Sequence, residues 1–139
     1  MQPKREKMLG QHLKTYNFVK VLGEGAWATV YEAIDDRDRS TIAIKAIARS
    51  LMRQTPKLEE LVKTEIKVLK TCQNENVIRF IDTFQSEHSV FIAMEYCNGG
   101  DLEGYLDKKK SLSEDEATMF LKQILNGFKV FSHSIPGTS

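Results

Sequence analysis

The apolar residues of this 139-residue chain change their period part-way along, and that change constrains the fold more than any other feature. Residues 16–22, then Thr29-Val30-Tyr31, then 41–47 are short runs rich in β-branched and apolar side chains, bounded by glycines or by Asp35-Asp36-Arg37-Asp38-Arg39. Such runs between turn formers predict strands. From Leu58 the spacing becomes helical: Leu58, Leu61, Val62, Ile66 and Leu69 share one face, and Pro56 stands where a helix can begin. Residues 77–84 and 90–94 return to strand character. The expectation is an α+β fold, a five-stranded antiparallel sheet with one helix. Asn98-Gly99-Gly100 then breaks the chain, Asp101 can cap a short helix to Lys109, and Ser113 with Glu116 forms a capping box. Ala117, Phe120, Leu121, Ile124, Leu125 and Phe128 make one wide apolar face on the helix that follows.

Composition excludes several classes. Twenty basic residues against nineteen acidic ones, with 41% apolar residues, do not describe a disordered chain. The longest apolar run, residues 90–94, is far short of a bilayer span of about 20 residues, and no secretory signal opens the chain. Cys72 and Cys97 fit no zinc pattern, and His12, His88 and His133 are scattered, so no metal site is expected. The basic residues between Arg49 and Lys70 have no aromatic side chains among them, which argues against nucleic acid. The expectation is a soluble, reduced, cytoplasmic chain. Residues 1–14 are polar and basic without period, and read as a flexible lead.

Three features can carry chemistry. Gly23-Glu24-Gly25-Ala26-Trp27-Ala28-Thr29-Val30 is a glycine-rich turn between strands, where backbone N–H groups can approach an anion. A hairpin that simply turns is the competing reading. A dinucleotide fingerprint would need a helix after the glycines, and a Walker loop would need Gly-Lys-Ser/Thr; neither occurs. Lys45 interrupts the apolar run 42–47 and shares a strand face with Ala43 and Ile47. Alone it could be an edge lysine. Glu65, however, falls on the apolar stripe of the helix, seven residues beyond Leu58. A charge facing a core needs a partner. Pairing Lys45 with Glu65 resolves both, and breaking such a buried pair costs about 3–5 kcal/mol. A purely structural ion pair is the alternative.

Together these residues resemble the small lobe of the eukaryotic protein kinases. The family pattern of glycine-rich loop, Val, Ala-x-Lys and helix Glu is met by Gly23-x-Gly25-x-x-Ala28-x-Val30, Ala43-Ile44-Lys45 and Glu65. The resemblance implies that the backbone of residues 23–28 covers the phosphates of ATP, and that Leu22, Val30 and Ala43 pack on adenine. It implies that Lys45, oriented by Glu65, holds the α- and β-phosphates. Met94 then guards the back of the pocket, the Glu95 carbonyl and Cys97 N–H bond adenine, and Asp101 contacts ribose. Ala28 replaces the third glycine, which stiffens the tip. Trp27 there either shields phosphates or packs on a neighbour, and packing is the favoured reading. Glu95-Tyr96-Cys97-Asn98-Gly99-Gly100-Asp101-Leu102, with Tyr105-Leu106 and Leu112-Ser113-Glu114-Asp115, is similar to the Unc-51-like serine/threonine kinases that start autophagy.

Kinase chemistry also needs a His-Arg-Asp loop and an Asp-Phe-Gly metal ligand. Neither tripeptide occurs in the 139 residues, and His133 is followed by Ser134-Ile135. Magnesium, which the family uses, therefore has no ligands here. The expected organisation is a lead (1–14), a kinase small lobe (15–97), the start of a large lobe (98–131) and a divergent tail (132–139). The expected product is a truncated kinase that keeps its ATP clamp and is inactive. The alternatives are a nucleotide- or regulator-binding decoy, with a protein regulator docked on the Glu65 helix, or a non-functional product. The apolar face of helix 113–128 would lack its cover and favour self-association, because leaving six such side chains exposed forgoes roughly 10 kcal/mol.

Overall fold

The computed structural model describes residues 7–134. Residues 1–6 of the lead and 135–139 of the tail lie outside the described part. The elements, in chain order, are β1 (His12–Leu13), β2 (Tyr16–Glu24), β3 (Ala28–Asp35), β4 (Thr41–Ala48), α1 (Arg49–Gln54), α2 (Pro56–Thr71), β5 (Phe80–Gln85), β6 (Ser89–Glu95), α3 (Leu102–Lys109) and α4 (Glu114–Ser134). The strands form one antiparallel sheet in the order β1-β2-β3-β4-β6-β5.

The sheet has six strands, not the expected five. The extra strand, β1, comes from the segment read as a flexible lead. Two residues are too few to display a period of two, so the pattern left no trace in the sequence. Helix α1 was missed for a similar reason: six residues make under two turns, too short for a helical period to register. At the other end, α4 runs on to Ser134, into the first three residues of the expected tail.

Strand alternation divides the apolar residues between two cores. Ile42, Ile44 and Ala46 face a cluster containing Tyr16, Phe18, Tyr31 and Phe91. Ile47 on the opposite face joins Leu51 of α1 and Leu58, Val62 and Leu69 of α2. Central strand β4 is therefore buried on both faces, and a near-continuous apolar run is what that position demands. Lys45 is the exception in this run.

The sheet curls until its two ends meet. The Tyr16 hydroxyl on β2 donates to Asp82 on β5 at 3.1 Å, Lys14 Nζ donates to the same oxygen at 2.7 Å, and the Tyr16 and Phe84 rings stack at 5.3 Å. Burial, followed by the charge of Asp82, pushes the Tyr16 hydroxyl up to about 12. Beyond the sheet, Asp101 caps α3 by accepting from the Gly104 N–H at 2.8 Å. The capping box of α4 closes reciprocally: Glu116 N–H donates to Ser113 Oγ at 3.2 Å and Ser113 N–H to Glu116 Oε2 at 3.3 Å. Helix α4 meets the loop after α2 at the buried Gly127, and Phe120 packs edge-on against Tyr105. Leu121, Ile124, Leu125 and Phe128 are each more than half exposed.

Candidate functional site

The sheet register builds the site. Gly23 of β2 pairs with Val30 of β3, Val30 with Lys45 of β4, and Lys45 with Ile92 of β6. The next row on the same face holds Glu32, Ala43 and Met94. Val30, Ala43, Lys45 and Met94 thus share the sheet face that packs on α2. Ala43 is buried, and Val30 and Met94 are half-buried.

Lys45 Nζ donates to Glu65 Oε1 at 2.9 Å and to Oε2 at 3.2 Å, so the two charges do meet. Their side chains stay 29% and 38% exposed, which puts the pair at the rim of the core rather than inside it. Val62 and Leu69, one turn to either side of Glu65 on α2, are buried and pin the helix to the sheet. At that exposure the pair contributes nearer 0–1 kcal/mol than the roughly 3–5 kcal/mol expected of a buried one. Fold stability alone gives little reason for a lysine here. The pair holds an ammonium at a defined point in front of the sheet.

The glycine turn joins β2 to β3, and its Gly23–Val30 row is in register with Lys45. It closes with the Gly25 N–H donating to the Ala28 carbonyl at 2.8 Å, and residues 22–27 are all exposed. Neither Gly23 nor Gly25 has a left-handed backbone. A methyl added at Gly23 would meet nothing within 4 Å, and one at Gly25 only the Ala28 oxygen at an ordinary 3.6 Å. The fold of the chain thus requires glycine at neither place, and the bare backbone is left open to a group outside the chain. Trp27 is 51% exposed, so the indole is half open to solvent at the turn.

The segment after β6 is less concentrated. Glu95 is tied to Arg79 twice: its N–H donates to the Arg79 carbonyl, and its side chain accepts from the Arg79 N–H at 2.8 Å. Cys97 and Asp101 are exposed, and the Asp101 carboxylate is engaged as the α3 cap. A hollow of about 530 Å³ takes in Glu95, Cys97 and Asp101 with Tyr105 and Phe120, but not Val30, Ala43 or Lys45. The structure therefore gathers Gly23, Val30, Ala43, Lys45, Glu65 and Met94 on one face, with Leu22, Glu24, Gly25, Ala26, Trp27 and Ala28 at the adjoining turn. It places Glu95, Cys97 and Asp101 at the border with the helices. Sequence reasoning passed over Ile92, fully buried beside Lys45. Its place two residues before Met94 on the same strand was the available signal. Among the described residues, no group of three His, Cys, Asp or Glu side chains could hold a metal ion.

A family profile for the protein kinase domain matches residues 16–135. The chain is similar to the carbon catabolite-derepressing protein kinase of Secale cereale, 37% identical over 84% of this chain and 24% of the relative. It is similar to the serine/threonine-protein kinase ULK1 of Homo sapiens, 35% identical over 79% of this chain and 10% of the relative. It is likewise similar to the serine/threonine-protein kinase unc-51 of Caenorhabditis elegans, 36% identical over 84% of this chain and 14% of the relative. The chain thus spans between a tenth and a quarter of these relatives' lengths.

Proposed function

This chain belongs to the protein kinase family, and on that footing we propose that it is the ATP-holding part of a serine/threonine kinase domain. The observation that carries this reading is the Lys45–Glu65 pair, 2.9 Å apart, with Lys45 in register with the Gly23–Val30 row of a glycine turn that has room for an added methyl at Gly23 and Gly25. The residues fit a nucleoside triphosphate. Glu65 aims Lys45, and a lysine ammonium has three N–H donors, so it can serve Glu65 and phosphate oxygens together. The open backbone at Gly23 and Gly25 gives the phosphates an approach without side chains in the way. Leu22, Val30, Ala43 and Met94 supply an apolar surface for adenine, with the Glu95 carbonyl and Cys97 N–H at its edge and Asp101 towards the ribose. ATP, when bound, supplies the γ-phosphoryl group that kinases transfer to a protein hydroxyl; these residues bind and orient it.

Phosphoryl transfer also requires a base and metal ligands, and His-Arg-Asp and Asp-Phe-Gly do not occur in the 139 residues. The proposal for this stretch is therefore nucleotide binding without transfer, and no magnesium ligand is assigned to it. The relatives support the serine/threonine type. The carbon catabolite-derepressing kinase and the ULK1 and unc-51 kinases are similar to the chain to nearly the same degree. An autophagy role accordingly rests on residues 95–102 with Tyr105-Leu106 and Leu112-Ser113-Glu114-Asp115.

Thermal unfolding with and without ATP tests the reading. At ten times Kd, ligand binding adds about 1.4 kcal/mol, which raises Tm by about 3–6 °C for a domain of this size. Lys45→Ala should abolish the shift. No shift at millimolar ATP in the unaltered chain would overturn the proposal, and so would phosphoryl transfer to protein by the purified 139-residue chain for its inactive half.

A further inference from the structure

Residues 8–14 do more than precede the sheet. Gly10, with φ of 77°, turns the chain so that Met8 enters the first core, where it is 2% exposed. The Met8 N–H faces the Tyr31 hydroxyl at 3.4 Å, and Gln11 N–H donates back to the Met8 carbonyl at 2.9 Å. Gly10 N–H donates to the Phe18 carbonyl and Phe18 N–H to the Gln11 carbonyl, at 2.8 and 2.9 Å, and β1 continues this pairing with β2. His12 pairs with Asp36 in the β3–β4 turn at 3.1 Å. Lys14 reaches Asp82 on β5, 68 residues away, and lies over the Phe84 ring. One short segment is thus fastened to β2, β3, the β3–β4 turn and β5.

The consequence falls on β2. Beyond Phe18 this strand is paired on one side only, with β3, and Val19, Lys20, Val21 and Leu22 are exposed. Gly23 stands five residues beyond Phe18, about 17 Å at the usual rise of a strand. An edge strand of that reach is steered by its root, and the root is what the segment grips. The plug also sits beside the site's framework. Tyr31, which Met8 touches, is in register with Val21 and Ile44, one residue along from the row of Gly23, Val30 and Lys45.

We propose that residues 8–14 are a positioning strap: by plugging Met8 beneath Tyr31 and tying Lys14 to Asp82, they hold the β2–β3 hairpin so that the glycine turn keeps its place relative to Lys45. Its effect on nucleotide affinity rests on the reading in the preceding section; its effect on the turn does not. Trp27 is the only tryptophan and sits at the tip of the turn, half exposed, so its fluorescence reports the turn directly. The experiment is time-resolved Trp27 anisotropy on the full 139-residue chain without nucleotide, well below Tm. The variants are Met8→Ala, Met8→Leu and Lys14→Met. The expected result is a roughly twofold rise in local Trp27 wobble for Met8→Ala and Lys14→Met, as for a segment released to open locally. Met8→Leu, which refills the plug, should restore the unaltered value. A strap with only a general stabilising role would lower Tm and leave the wobble unchanged. That outcome in folded Lys14→Met, an exposed substitution that keeps the core intact, overturns the proposal even if Met8→Ala fails to fold. ATP titration of the same proteins separates the two claims: an unaltered chain that binds no ATP contradicts the nucleotide reading and leaves the anisotropy result standing.

Discussion

Lys45 and Glu65 could be read from sequence because each is a charge in a pattern that calls for an apolar side chain. Their pairing costs the fold little to lose: Glu65→Gln should change unfolding free energy by no more than about 1 kcal/mol, while weakening nucleotide binding by releasing Lys45. Equilibrium urea unfolding beside an ATP titration checks both. Asp35 shows the opposite case. It stands in a run of charges that reads as a solvated turn, yet it is buried, gripped by the Arg37 guanidinium at 2.6 Å. That hydrogen bond, against the opposing effect of burial, holds the Asp35 carboxyl at about 2, below its ordinary 3.8. A depressed carboxylate contributes stability above its unfolded value and loses it as pH falls through its folded one. Stability from Asp35 should therefore be intact at pH 7 and disappear between about pH 4 and pH 2. Asp35→Asn should be less stable at pH 7 and show a shallower decline over that interval in urea midpoints. Nothing in the turn's sequence distinguished Asp35 from its neighbours, since only the fold directs Arg37 back onto it.

Elements with a full period or a complete cap were legible. The apolar stripe located α2, and Ser113 with Glu116 located the start of α4. Ser113→Ala should cost about 1 kcal/mol, read as faster amide exchange in the first turn of α4. Short or unpatterned elements were not legible, as β1 and α1 show. Nor was the docking of α4, which depends on a glycine rather than on the apolar face. A methyl on Gly127 would stand 3.0 Å from the Asn76 carbonyl oxygen. That loop is braced by Asn76 N–H donating to Asn74 Oδ1 at 2.7 Å and by Val77 N–H donating to the Asn74 carbonyl at 3.0 Å. Gly127→Ala adds helix propensity worth about 1 kcal/mol, so an undisturbed interface would make it stabilising. The crowding predicts the reverse: α4 moves off the loop, and exchange accelerates at residues 120–130. Slower exchange there would show that the loop yields.

At the scale of the whole molecule, the described chain is one curled sheet with α1 and α2 on one face, followed by two helices that present an exposed apolar stripe at Leu121, Leu125 and Phe128. No helix among the described residues is long and apolar enough to cross a membrane. The concave hollow bordered by Glu95, Cys97 and Asp101 and the sheet face around Lys45 are separate places, which makes the location of a bound nucleotide decisive. Backbone amide NMR shifts of the 139-residue chain during an ATP titration measure that location most directly. The account predicts saturable shifts at residues 22–30, 43–45 and 94–97, absent in Lys45→Ala. Shifts concentrated instead at Tyr105, Phe120 and Gln123, or no shift at millimolar ATP, would contradict it.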